Sequence, residues 1–285
     1  MEVRRNNVVE AVHRVIGVAV HDGHTVASFG PIDHECYLRS CAKPIQALAL
    51  RDAAPELDHE LLAVACASHS GEAYHLAAVE RLLHTAACDE SQLVCGPPQG
   101  TQLSRRHNAC SGKHAGMLLA CCRLGWDVAT YHRPSHPLQR KILSDIADLA
   151  GRPAHEILTG IDGCGLPCHS LRLREMALMF TRLDAAVCLA MSTHPLMVGG
   201  LDTDDTALMQ ARPGWVAKYG AEGLLCAVSP EGIALVVKSL DGSPRPVRAA
   251  ISALAVRAGL GPVPGFDDGA VTNTLGHIVG HVAAR

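Results

Sequence analysis

Two short apolar runs, at 15–20 and 25–29, are separated by His21-Asp22-Gly23-His24 and predict a pair of antiparallel strands. Asp-Gly between strand-like runs favours the left-handed backbone of a tight hairpin turn. From Ser40 the pattern changes. Pro44-Ile45-Gln46-Ala47-Leu48-Ala49-Leu50-Arg51 is rich in helix formers, and its proline is tolerated in a first turn, so a helix is predicted to begin at or near Ser40. Apolar residues spaced three and four apart predict further helices over 57–67, 74–86, 113–124, 136–150 and 172–190. Strand-like runs return at 223–228 and 232–240, joined by Ser229-Pro230-Glu231 and closed by Asp241-Gly242, and a last helix is predicted over 245–260. Strands near both ends with helices between predict an α+β fold. One antiparallel sheet would come from the two chain ends, about 1–39 and 215–285, with a helical lobe of about 40–214 inserted, all within a single unit 1–285. The segment 261–285 is expected to wrap the sheet or to assist an oligomer contact.

Composition narrows the classes. The 285 residues are 48% apolar, 19% charged and 3% aromatic, with a formal net charge of −3. A nucleic-acid reader would show a basic stripe or aromatic stacking platforms, and neither is present. No apolar run approaches the roughly 20 residues of a membrane helix. Glu10, His13 and Arg14 interrupt the N-terminal segment, so no signal-peptide core is recognised and a cytoplasmic location is expected. The 12 cysteines are expected to be mostly reduced and buried, as Cys66, Cys121, Cys122, Cys188 and Cys226 lie in apolar runs. No CxxC pair or HExxH motif occurs. Only five of the 25 cationic residues are lysine, namely Lys43, Lys113, Lys141, Lys218 and Lys238. A lysine kept under such an arginine bias is a candidate for proton chemistry, because guanidinium stays charged whereas a buried amine releases its proton.

Four clusters could carry chemistry. In Ser40-Cys41-Ala42-Lys43, residues three apart at a helix start share a face, so the amine can reach the hydroxyl. Acting as a base at pH 7 would cost an unperturbed lysine about 4.6 kcal/mol, which burial and a neighbouring cation can offset. Cys66-Ala67-Ser68-His69-Ser70-Gly71-Glu72 could expose a hydroxyl, or could equally be a helix terminus that Ser68 or Ser70 caps. Asn108-Ala109-Cys110-Ser111-Gly112-Lys113-His114 contains a Gly-Lys pair but lacks the opening glycine and closing hydroxyl of a phosphate loop. Gly160-Ile161-Asp162-Gly163-Cys164-Gly165-Leu166-Pro167 is a glycine-rich turn with one carboxylate and one thiol, read from spacing alone as a tight turn with a buried thiol. Two thiolates with an Asp or a neutral Lys could hold zinc, though this spacing is not diagnostic.

Taken in order, Arg39-Ser40-Cys41-Ala42-Lys43-Pro44, Cys66 to Glu72, Cys110-Ser111-Gly112-Lys113-His114-Ala115-Gly116-Met117 and Asp162 to Pro167 resemble the third class of bacterial L-asparaginases, the Rhizobium-type thermolabile asparaginase II family. The similarity extends to His136-Pro137, His194-Pro195, Lys218-Tyr219-Gly220-Ala221-Glu222-Gly223 and Val237-Lys238. The resemblance implies a fold similar to serine β-lactamases and glutaminases, and hydrolysis of asparagine to aspartate and ammonia by two Ser-Lys pairs, Ser40 with Lys43 and Ser68 with Lys238. It makes Ser68 a candidate nucleophile that Ser40 assists. It also implies zinc at Cys110, Lys113 and Cys164, with Asp162 and His114 at the substrate, and a homodimer. Arg39 is expected to bind the substrate α-carboxylate from its position and charge. Against the family pattern, the segment between Pro98 and His107 is shorter, and Cys41 stands where a small residue is expected. Glutamine or another small amide is an alternative substrate for the same residues, and a non-catalytic zinc- or amino-acid-binding protein is the alternative from another class.

Overall fold

The computed structural model describes residues 1–6, 8–266 and 269–283. In chain order the strands are β1 (Glu2–Arg5), β2 (Val8–Val12), β3 (Val15–His21), β4 (His24–Phe29), β5 (Glu35–Tyr37), β6 (Thr159–Ile161), β7 (Pro167–Arg172), β8 (Val216–Gly220), β9 (Leu224–Val228), β10 (Ala234–Ser239), β11 (Ala270–Thr272) and β12 (Ile278–Ala283). The helices are α1 (Lys43–Gln46), α2 (Leu48–Ala53), α3 (His59–Ala65), α4 (Ala73–Thr85), α5 (Ser111–Leu124), α6 (Pro137–Ala150), α7 (Leu173–Thr181), α8 (Ala185–Thr193), α9 (Pro195–Val198), α10 (Asp204–Ala211) and α11 (Val247–Arg257).

The fold is α+β with antiparallel sheets, and its five-stranded sheet, in the order β4-β3-β10-β9-β8, is built from both chain ends. The ends join where β3 pairs with β10, with Gly17 opposite Val237 and Ile16 opposite Lys238. The β3–β4 turn has both Asp22 (φ 49°) and Gly23 (φ 78°) in the left-handed region, the geometry that matches the twist of a two-residue hairpin. Every residue of β10 is buried, and α7 and α11 pack against the β3–β10 pair. A strand covered on both faces reads as a continuous apolar run, which is why 232–240 is legible in sequence. Lys238 is the exception within it, 7% exposed.

Elsewhere the structure departs from the sequence expectation. The chain ends make two sheets rather than one. The tail 261–285 contributes β11 and β12 to a separate four-stranded sheet, β11-β12-β1-β2, and residues 267–268 and 284–285 of that tail lie outside the described residues. Strands β1 and β2 escape the pattern because Val8 and Val12 face solvent and charged residues interleave the rest. The single helix predicted over 172–190 is two helices, α7 and α8, bent by 92°. Asp184 causes the break by accepting hydrogen bonds from the N–H groups of Ala186 and Val187, which starts a new helix. The helix predicted from Ser40 is a 3-10 turn, Arg39–Ala42, followed by the short α1 and α2. A third sheet, β5-β7-β6, draws β6 and β7 from the region expected to be helical and β5 from the N-terminal segment before it. Among the described residues no single helix is long and apolar enough to cross a membrane.

Three contacts position the site. The 3-10 turn packs on edge strand β8, where the fully buried Cys41 donates from Sγ to the carbonyl of Lys218 at 3.0 Å. The pairing of β5 with β7 brings Leu38 N–H to the carbonyl of His169, 2.9 Å away. Helix α5 lies so close to α3 that a Cβ on Gly112 would stand 2.3 Å from the carbonyl oxygen of Val64. Only glycine permits that approach.

Candidate active site

Past the end of α3 the chain turns through Cys66-Ala67-Ser68-His69-Ser70, and backbone bonds hold this turn from two sides. Ser68 and Ser70 donate from N–H to the carbonyls of Val198 and Gly199, at 2.9 and 3.0 Å, and His69 donates to Ala109 at 3.2 Å. Lys43, 1% exposed, reaches the same turn. Its Nζ lies 2.9 Å from Ser68 Oγ, 2.5 Å from the carbonyl oxygen of Ala67 and 3.4 Å from that of Ala109. Burial pushes the lysine below its ordinary pKa; the Cys110 thiolate opposes this, while the charges of Lys113 and Lys218 reinforce it. A neutral amine has two N–H groups and one lone pair. With the N–H groups given to the two carbonyls, the lone pair is left for the Ser68 hydroxyl.

The serine and lysine partners therefore differ from the expected pairs. Ser40 is half-buried, its carbonyl accepts the N–H of Lys43, and its hydroxyl makes no hydrogen bond among the described residues. Lys238 donates from Nζ to the carbonyls of Glu222, at 2.6 Å, and of Ser239, not to Ser68. The spacing of Ser40 and Lys43 matches a single helical face, but the 3-10 turn between them sends the amine toward α3 instead.

Cys110, Lys113 and Cys164 converge. The β6–β7 turn closes through Asp162 N–H to Leu166 O at 2.8 Å and Gly165 N–H to Asp162 O at 2.9 Å, and it carries Cys164 to within 3.1 Å of Lys113 Nζ. A hydrogen bond with the Cys164 thiol, aided by Lys43 and Lys113, pulls Cys110 well below the usual thiol range against the cost of burial. The same bond, with burial, pushes Cys164 up. Burial would lower Lys113, but the two sulfurs outweigh it and hold the amine above its ordinary value. Among the described residues no three His, Cys, Asp or Glu side chains form a group suited to a metal ion. The set at hand is two thiols and an amine. Two sulfur donors and one nitrogen donor are of the class zinc takes, and they fit three positions of a four-coordinate centre once the lysine gives up its proton.

Arg39 has φ +46°, a left-handed conformation that costs a non-glycine residue about 1 kcal/mol or more. Its Nε donates to Asp162 Oδ1 at 3.0 Å, and that same oxygen accepts the N–H of Gly163 at 2.8 Å. Arg39 lines a cavity of about 580 Å³ together with Tyr37, Glu222, Lys238 and Gly242, and Ser68 and Lys43 are not among its lining residues. His114 is wholly buried. Tyr131 Oη accepts the N–H of Val94 at 3.0 Å and shares a hydrogen bond with His114 Nδ1 at 2.6 Å. His114 Nε2 has no partner among the described residues, and burial keeps the ring neutral.

Residues that sequence reasoning did not reach complete the surroundings. Tyr131 holds the ring of His114 through a hydrogen bond and has no periodic signal around it. Asp205, 1% exposed, forms a buried ion pair with Lys218, 0% exposed, and accepts the N–H of Tyr219 at 3.1 Å. Burial alone would raise this carboxyl, but Lys218 and the hydrogen bonds hold it below the usual carboxylate range. The scarcity of lysine flags Lys218, whereas Asp202-Thr203-Asp204-Asp205 reads as a solvated helix start and hides its partner.

The L-asparaginase II family model matches residues 1–284, spanning every cluster described above. The chain belongs to the L-asparaginase II family. Membership identifies it as a hydrolase of amide bonds acting on a small molecule. No curated protein matches the chain significantly. Among solved structures it is similar to a β-lactamase from Mycobacterium bovis, with 13% identity, TM-score 0.41, 86% of this chain and 92% of that one covered. It is also similar to EstCE1, a hydrolase with promiscuous acyltransferase activity, with 12% identity, TM-score 0.41, and 86% and 93% covered.

Proposed function

We propose that this member of the L-asparaginase II family hydrolyses the side-chain amide of L-asparagine to L-aspartate and ammonia, with Ser68 as nucleophile and Lys43 as its base. The observation that carries the reading is the 2.9 Å contact between Lys43 Nζ and Ser68 Oγ at a lysine whose burial favours the neutral amine. Lys43 takes the hydroxyl proton as Ser68 Oγ bonds to the amide carbon. It then returns that proton to the departing nitrogen as the C–N bond breaks, so ammonia leaves and an ester on Ser68 remains. Water, deprotonated by the same amine, opens the ester and frees aspartate. Arg39, oriented by Asp162, takes the α-carboxylate, and Lys238 adds positive charge to the same cavity. His114, whose buried Nε2 has no partner among the described residues, is placed on the substrate side of the site.

Cys110, Lys113 and Cys164 would hold zinc, which when bound supplies a fixed positive charge that orients substrate or stabilises the pocket. The active species is proposed to be a homodimer in the cytoplasm.

The test is an ammonia-release assay on asparagine, glutamine and a panel of small amides, with and without chelator. Asparagine should be favoured, and Ser68→Ala should remove activity in a protein that still folds. Preference for glutamine would change the substrate, by the roughly 1–3 kcal/mol that one methylene is worth in a pocket. Asparagine binding without ammonia release would favour the non-catalytic alternative.

A further inference from the structure

Arg39 answers one of the two charges on the α-carbon of an amino acid, and the same cavity holds a group suited to the other. Glu222 lines it. Glu222 Oε1 stands 3.9 Å from Arg39 NH1, beyond hydrogen-bond reach, and its side chain is 66% exposed. Loose, exposed pairs of this kind contribute little to stability, so the fold does not depend on the contact. The backbone there is nonetheless costly. Glu222 has φ +65°, where Gly or Asn would sit more easily. Facing it, Gly242 has φ +77°, and a Cβ at that position would come within 2.5 Å of Glu222 Oε2. Bare backbone is thus what makes room for the carboxylate. The carbonyl of Glu222 accepts a hydrogen bond from Lys238 Nζ, which ties the turn to β10.

We infer that Glu222 receives the α-ammonium group of the substrate while Arg39 receives its α-carboxylate, so that the site selects α-amino acids over simple amides. This rests on the asparaginase reading above. A zwitterion carries both charges on one carbon, so its receptors have to stand close, and Arg39 and Glu222 form a loose pair 3.9 Å apart that a ligand carrying both charges can enter. The other acids are engaged: Asp162 Oδ1 by Arg39 Nε and the N–H of Gly163, and, of the two further carboxylates that line the cavity, Glu35 by Arg152 and Ser170 and Asp241 by Ser239 and His13.

Two ligand pairs differ only by the α-ammonium: L-aspartate against succinate for binding, and L-asparagine against succinamate for turnover. In calorimetry the purified protein should bind L-aspartate at least about tenfold more tightly than succinate, the worth of one charge-assisted contact. Glu222→Gln should abolish that preference by weakening aspartate alone, and Glu222→Asp should restore part of it. In turnover the loss for asparagine should fall on KM rather than kcat, and the ratio of kcat/KM between asparagine and succinamate should drop by the same factor. Equal weakening of aspartate and succinate, or an unchanged preference, in both variants would overturn the inference. Absence of ammonia release by the unaltered protein would instead sink the hydrolase reading, and the binding arm would still decide the role of Glu222.

Discussion

Lys43 and Ser68 are 25 positions apart in the chain, yet Lys43 Nζ stands 2.9 Å from Ser68 Oγ, with the carbonyls of Ala67 and Ala109 arranged around the same nitrogen. The contact joins the start of α1 to the exit of α3. A lysine in this cage is useful only if it can become neutral, and that requirement separates it from arginine. Lys43→Arg keeps the charge and removes the lone pair, so its kcat should fall about 10²–10⁴-fold, the range ascribed to a positioned base. Steady-state kinetics beside circular dichroism would check this. Near-normal turnover in Lys43→Arg would remove Lys43 as the base.

Gly112 tests the packing that assembles the site. A methyl group there would meet the carbonyl of Val64 at 2.3 Å and push α5, with Cys110 and Lys113 on it, away from α3. Overpacking of this kind costs about 1–3 kcal/mol, so Gly112→Ala should lower the urea midpoint and reduce activity together. A variant with the parent midpoint would show that α3 and α5 tolerate a wider spacing.

The buried pair of Asp205 and Lys218 should behave asymmetrically. Asp205→Asn leaves Lys218 charged without a counter-ion and is expected to cost about 3–5 kcal/mol in chemical denaturation. Replacing both, Asp205→Leu with Lys218→Met, should recover most of that loss, since an apolar pair of similar size avoids desolvating two charges. If the double variant is no better than Asp205→Asn, the pair supplies packing or hydrogen bonds that apolar side chains cannot replace.

The thiol pair predicts metal content. Elemental analysis of the purified protein should find zinc, and Cys110→Ser should reduce it, because a hydroxyl at the start of α5 is a poorer donor than a thiolate held at low pKa. Unchanged zinc stoichiometry in that variant would take Cys110 out of the centre.

Acid sensitivity follows from buried neutral histidines. Burial holds His69 down to about 3 and His169 down to about 4, and each is 2% exposed. The folded pKa of each lies below the ordinary value of 6.5, so between the two the unfolded chain binds the proton and the native state does not. Their stabilisation is complete above 6.5 and is lost as pH falls toward those folded values, each histidine steepening the fall by about 1.4 kcal/mol per pH unit. His169→Asn should therefore flatten the stability slope between about pH 6 and pH 5 by up to about that amount. Urea unfolding at the two pH values measures it. An unchanged slope would mean that His169 charges within the native state.

Much of the fold is legible in the chain because turn chemistry and periodicity act over a few residues. Asp22-Gly23 marks the β3–β4 hairpin, the apolar run 234–237 of β10 announces itself, and α4, α5 and α6 follow their spacing to within two residues. The misreadings fall where a distant neighbour decides. One polar cap, Asp184, splits an apolar stretch into α7 and α8, and β1, β2, β11 and β12 are strands only because they pair with one another.

The candidate site divides the same way. Residue type singles out the lysines and the serine- and cysteine-bearing clusters as chemically capable, and the family resemblance carried by their order is what selects Ser40, Lys43, Ser68, Cys110, Lys113, Asp162, Cys164 and Lys238 together. Which hydroxyl meets which amine, that Arg39 is clasped by Asp162 from 123 positions away, that Tyr131 bonds to His114, and that Glu222 stands 3.9 Å from Arg39 belong to the tertiary structure alone. A hydrogen bond succeeds or fails over a few tenths of an ångström. Tolerance that narrow is set by how helices and strands far apart in the chain pack against one another, and no local pattern of residues encodes it.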